Sequence, residues 1–136
     1  MSKIFKFDAS EPVKIRGGTL HQGFKKHLPD LKGLSIQSVH LEEGAVQAPH
    51  FHPNASQLDY CLSGKARLGI IDPDGRKKIL TMNPGDISFV PSGYTHWFEN
   101  IGQGTLHYLV VFSHEEPVHV DIHKICLLYT SPSPRD

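Results

Sequence analysis

From Leu34 onward, apolar and polar residues alternate in runs of about five to eight, each ended by a turn signal. In "LSIQSVHL", Leu34, Ile36, Ser38 and His40 fall on one face and Ser35, Gln37, Val39 and Leu41 on the other. A period of two is that of an extended strand, whose successive side chains point to opposite sides. "EEGA" then turns the chain, and the runs "QLDYCL", "ARLGIID", "KKILTM", "ISFVP", "THWFEN" and "TLHYLVVF" follow. "SGK", "PDGR" and "NPGD" separate several of them; proline presets φ there, and Asp-Gly or glycine tolerates φ above zero. Short strands broken by such clusters predict an all-β sandwich or barrel. No stretch of residues 34–113 shows the 3.6-residue period of an amphipathic helix. Residues 1–33, with "RGG" and "LPDLKG", form an irregular or edge-strand lead-in to a domain over 34–125. After the last strand, "EEPVHVDIHKI" could begin a further element beyond the barrel, though Pro117 interrupts it. Phe89, Trp97, Phe98 and the aliphatics of 106–112 are the expected apolar filling.

The chain has 136 residues, room for one modest domain. Its last eleven, "CLLYTSPSPRD", resemble a translated sequencing adapter, and Ser131 to Pro134 neither build nor cap an element; 126–136 is therefore set aside as a non-native tail. Formal charge balances at 14 − 14 = 0, and at 13 − 13 = 0 without the Arg135 and Asp136 of that tail. No basic stripe points to nucleic acid, and no cationic amphipathic run points to a membrane surface. Met1 to Ala9 lacks the apolar core of a secretory signal, and no run approaches a membrane span. Outside the tail, Cys61 is the only cysteine. One thiol makes no intramolecular disulfide, so a reducing, cytoplasmic setting is expected.

Ten histidines stand out, and their placement matters more than their number. In "PHFHPNASQLDYCLSG", His50 and His52 lie two apart, which on a strand aims both to one side and Phe51 to the other. Two imidazoles are half of a site for Zn, Fe, Mn, Ni or Cu. A bare HxH is more often two partly exposed histidines on a half-buried strand. The second stretch, "GDISFVPSGYTHWFEN", shifts that balance with Gly85, Pro91, Gly93, His96 and Asn100 at fixed intervals.

Together these stretches resemble the two motifs of the cupins, small jelly-roll β-barrels. The first motif, G-x5-H-x-H-x(3,4)-E-x6-G, is filled by Gly44, His50, His52, Gln57 and Gly64 with one substitution. The second, G-x5-P-x-G-x2-H-x3-N, is filled by Gly85, Pro91, Gly93, His96 and Asn100 with none. The wider likeness spans roughly residues 16–122. Its phrasing is most similar to the oxalate decarboxylase and germin branch, in "HFHPNASQLDYCLSGKARLGIIDPDG", "GDISFVPSGYTHWFENIGQGTLHYLVVF" and the lead-in "GGTLHQGFKKHLPDLKGLSIQSVHLEEGA". The resemblance implies a cupin domain over 34–125 with His50, His52 and His96 as metal ligands and Gln57 in the place of a glutamate. It also implies manganese and one-electron chemistry on oxalate with dioxygen present; iron, nickel, copper and zinc are further metals that such imidazoles take.

The sequence departs from that branch in three places. Gln57 offers a neutral carbonyl oxygen where glutamate offers a charged one, so the metal site gains one unit of charge and hard cations lose a preferred ligand. Alternation puts Gln57, Asp59 and Cys61 on one face. If that face is interior, the Asp59 carboxylate sits about 7 Å along the strand. There it could orient a ligand or act as general base; a salt-bridged Asp59 without chemistry is the blander alternative. Gln47 stands where the oxalate enzymes hold the substrate carboxylate with arginine, and an amide does not replace a bidentate, charged guanidinium. Finally, "FSHEEPVHVDI" is shorter than the lid loop of a catalytic domain, and Glu115 and Glu116 receive no role. His107 could reach the pocket but sits as a strand histidine on a sheet surface; His21, His27, His40, His114, His119 and His123 lack ligand spacing and read as surface residues. The expectation is a divalent-metal-binding cupin, enzymatic on a small organic acid or sugar-like substrate, against a non-catalytic metal- or ligand-binding or storage-like cupin. Its edge strands suit a homodimer.

Overall fold

The computed structural model describes residues 3–125; the proposed tail, with Cys126, lies outside them. Eleven strands follow one another: β1 (Val13–Ile15), β2 (Gly18–Gly23), β3 (Ser35–Leu41), β4 (Val46–Phe51), β5 (Gln57–Ser63), β6 (Ala66–Ile71), β7 (Lys77–Met82), β8 (Ile87–Val90), β9 (Thr95–Asn100), β10 (Leu106–Phe112) and β11 (Val120–Asp121). They form a six-stranded sheet, β1-β2-β3-β10-β5-β8, and a five-stranded sheet, β11-β4-β9-β6-β7, with every pairing antiparallel. Two such sheets face to face, with partners distant in the chain, make the double-sheet jelly roll.

Each predicted run becomes a strand. β7 is exposed from Lys77 to Thr81 with only Met82 buried, but in most of the others alternation buries one face. β10 is the clearest case: Leu106, Tyr108, Val110 and Phe112 are buried, while His107, Leu109 and Val111 between them are half-buried. It pairs with β3 along its whole length, from Leu106 opposite Leu41 to Phe112 opposite Ser35. The Phe98 and Tyr108 rings stack 4.2 Å apart, tying one sheet to the other through the core. Two motif glycines have backbone reasons. Gly64 holds φ at 91° with the Leu106 Cα 2.9 Å from where a Cβ would sit. Gly93 holds φ at 82° while its N–H donates to the His52 carbonyl at 2.9 Å, joining the two motifs.

The expected filling needs correction. Phe98 is buried, but Phe89 is 58% exposed and Trp97 is half-buried, its indole lying over Gly69. Register explains it: Val90 faces inward opposite Gln57, so Phe89 must face outward opposite Leu58. Outward residues consequently form two apolar rows across the larger sheet, Ile36-Val111-Leu58-Phe89 and Leu109-Tyr60-Ile87. The lead-in contributes β1 and β2 to the outer edge of that sheet, paired onto β3. Beyond β10 the chain returns to the barrel, where β11 pairs Val120 with Phe51 and Asp121 with His50.

Candidate metal centre

β4 and β9 lie side by side with His50 opposite His96, and His52 follows directly after β4. The ladder between them is irregular from Gln47 to His50, which frees the backbone to aim both first-motif histidines inward. His50, His52 and His96 are all buried, and their ligand atoms lie within 4.8 Å of one another. Each ring is oriented from behind. Nδ1 of His50 meets the Ala48 carbonyl at 2.7 Å, Nδ1 of His52 the Val118 carbonyl at 2.9 Å, and Nδ1 of His96 the Tyr94 carbonyl at 3.0 Å. A carbonyl only accepts, so Nδ1 carries the proton in all three and Nε2 is left with a bare lone pair. His96 Nε2 is buried with no hydrogen-bond partner, as a ligand atom awaiting a cation would be.

Electrostatics agree with that geometry. Burial, reinforced chiefly by His96, lowers His50 to about 2. Burial and then His96 lower His52 to about 3, and burial lowers His96 to about 4. All three imidazoles are therefore neutral at pH 7, the state that binds metal.

The second interior cluster hangs from β5. Gln57 and Asp59 are both buried, and Gln57 Nε2 donates to Asp59 Oδ1 at 2.7 Å. The roughly 7 Å spacing along the strand is closed by the two side chains leaning together. Ser88 Oγ donates to the other carboxylate oxygen at 2.8 Å. Burial raises Asp59 to about 7 against the pull of these two donors. Gln57 Oε1 is the counterpart of His96 Nε2, a buried acceptor with no partner. Phe112, the cross-strand neighbour of Gln57, packs its ring 4.9 Å from that of His52. Three bare imidazole nitrogens and one orphaned amide oxygen inside one barrel fit a divalent transition metal.

Gln47 is buried farther along β4, and its Oε1 accepts a 2.5 Å hydrogen bond from the Tyr108 hydroxyl. It also lines a cleft of about 440 Å³ with Ile15, Arg16, Ala48, His119 and Lys124. His119 had no ligand spacing, yet its ring stacks on His50 at 4.3 Å, 10° from parallel, and hydrogen-bonds Asp121 at 2.7 Å. The signal available in the sequence was His119-x-Asp121, a same-face pair like His50-x-His52, but nothing local joins it to β4. Asn54 fastens this returning segment, donating to the Glu116 carbonyl and accepting from the Val118 N–H. Glu115 instead accepts from the Gly33 N–H, and His107 bonds Ser38 and stacks on His40 outside the core.

Comparison with known proteins finds relatives in sequence and in fold. The cupin family profile covers residues 5–126. An oxalate decarboxylase of Bacillus subtilis is 30% identical over 114 residues, 84% of this chain and 30% of that protein. Germin-like protein 1 of Brassica napus is 32% identical over 108 residues, 77% of this chain and 52% of its own. The chain thus spans less than a third of the first and about half of the second. A structure of the Bacillus subtilis oxalate decarboxylase at pH 4.6 superposes over 96% of this chain and 36% of its own, with a TM-score of 0.84 and 25% identity. Another structure of that enzyme, from work on its Mn(II) centres, gives 0.85 at the same identity over 96% of this chain and 37% of its own.

Proposed function

The chain belongs to the cupin family, and on that premise we propose that it is a divalent-metal-dependent enzyme acting on a small organic acid. The observation that carries this reading is the triad of neutral imidazoles, each with Nδ1 tied to a carbonyl and Nε2 turned inward. His50, His52 and His96 would hold the metal, with the Gln57 amide oxygen beside them. A bound ion of the manganese type, as in the Mn(II) relative, supplies Lewis-acid or one-electron chemistry. The cleft would receive the substrate: Arg16 brings positive charge to its rim, where Lys124 is paired with Asp121 at 3.3 Å, and Gln47, its oxygen taken by Tyr108, can offer its NH2 to a carboxylate. Because Gln47 replaces a guanidinium, monodentate recognition of an acid larger than oxalate fits this cleft better than a bidentate clamp on oxalate.

A second reading, metal or ligand binding without turnover, is favoured by the hydrogen bonding of Asp59. Both its oxygens are engaged by neighbours, which ties the one buried acid among the described residues to its own strand pair rather than to a substrate. The test is manganese-loaded protein offered a panel of mono- and dicarboxylic acids and sugars, followed by carbon dioxide release and dioxygen uptake. Turnover of an acid, weakened about tenfold in KM by Arg16→Ala, is expected. Tight binding of acids with no turnover would favour the second reading. Turnover or binding of sugars alone would overturn the acid assignment.

No helix among the described residues is long and apolar enough to cross a membrane. Free, buried Cys61 fits a cytoplasmic setting. The outward rows with Leu58, Tyr60, Ile87 and Phe89 carry no charge and end on the edge strand β8. A second copy of this chain, presenting the same uncharged patch across a two-fold axis, is the occupant that suits them. Light scattering should give a dimer that Leu58→Lys/Phe89→Asp converts to monomer; a concentration-independent monomer before substitution would refute it.

A further inference from the structure

We propose that Asp59 is a positioning residue for the metal, fixing the Gln57 amide with its oxygen inward and supplying from behind it the negative charge that a glutamate would bring directly. This rests on the metal-binding reading above.

Three observations converge on it. The Gln57 amide has one end occupied and one end empty: Nε2 donates to Asp59 at 2.7 Å, while buried Oε1 has no partner. An unpaired buried carbonyl is costly, and a cation ligand would satisfy it. With Asp59 ionised, as a cation on Oε1 would favour, turning the amide over would set Oε1 against a carboxylate oxygen and aim an NH2 inward. Charge gives the second reason. Three neutral imidazoles and a neutral amide would leave a divalent ion uncompensated inside an apolar barrel, and Asp59 is the only buried acid among the described residues. The third is that Asp59 is itself locked. Ser88 Oγ holds its second oxygen at 2.8 Å, so Ser88, Asp59 and Gln57 form a chain of hydrogen bonds ending on the orphaned oxygen. Groups that orient and polarise a ligand from behind are characteristic of metal sites.

Asp59→Asn tests it, since asparagine keeps the shape and an acceptor for Gln57 Nε2 but removes the charge. Measured on the full chain by competition with a chelator, the Mn(II) dissociation constant should rise about 10- to 100-fold. The Mn(II) EPR fine structure should change with it. Gln57→Glu/Asp59→Asn, which moves the charge onto the ligand itself, should recover the affinity of the parent protein. An Asp59→Asn protein that folds and binds Mn(II) within about twofold of the parent would overturn the inference alone. A parent protein that takes up no Mn(II) or Zn(II) would overturn the metal reading and the inference with it. A further measurement needs neither metal nor a folded variant: the Gln57 side-chain amide protons of the metal-free parent, by NMR on the alkaline side of neutrality, where the Asp59 carboxyl is ionised. One slowly exchanging, downfield proton is expected, and a pair exchanging as freely as a surface glutamine would overturn the hold by Asp59.

Discussion

His96→Ala should strip the protein of its metal. Purified without chelator, the parent chain is expected to carry about one equivalent of a divalent transition metal, and the variant almost none after desalting. The loss should exceed the roughly 10- to 100-fold in affinity that removing a group behind a ligand costs, because Nε2 of His96 would itself be the ligand. Its burial without a partner makes His96 the most informative of the three positions. His107→Ala serves as control: that ring bonds Ser38 and stacks on His40 away from the triad, so uptake should not change. Unchanged metal content in His96→Ala would mean that the metal sits on exposed histidines, and the barrel site would fall.

The second large effect is acid sensitivity of the metal-free protein. His50, His52 and His96 fall from 6.5 in the unfolded chain to about 2, 3 and 4 when folded. As pH drops below 6.5, the unfolded chain takes up three protons that the folded one refuses, so stability falls. Asp59 acts with the opposite sign: raised from 3.8 to about 7, it is protonated in the folded state while still ionised in the unfolded one. Three histidines less one carboxylate leave a net difference of two protons. At about 1.4 kcal/mol per proton per pH unit, stability should fall on the order of 3 kcal/mol per unit between about pH 6 and 5. Chemical denaturation of chelator-treated protein across that range would show it. A flat profile would mean that the imidazoles are solvated in the metal-free protein and that the barrel is open to water.

Much of this was legible in the chain because it depends on near neighbours. Period-two alternation locates β3 and β5 to β10 as strands, and the spacing of His50 and His52 survives although His52 lies just past its strand. Gln57 and Asp59 were placed on one face for the same reason. That they touch was not legible, since strand spacing fixes Cβ positions and not how two flexible side chains lean. Phe89 was misread because composition says only that a phenylalanine is apolar, whereas the register of β8 against β5 decides which way it points. His119 was invisible for a deeper reason: its place over His50 depends on a strand of two residues closing 70 positions along the chain.

That closure ties site assembly to the order in which the barrel is completed. His52 owes its tautomer to the carbonyl of Val118, 66 residues away, and Asn54, two residues after His52, holds that carbonyl's residue by its N–H. Tandem backbone contacts set the other two rings from within two residues, at Ala48 and Tyr94. A fragment stopped at the end of β10 would therefore keep the sandwich and two aligned imidazoles, with the third free to rotate and expose either nitrogen. In a growing or partly unzipped chain, the centre would be the last part to become competent and the first to lapse, with the outermost segment serving as its latch.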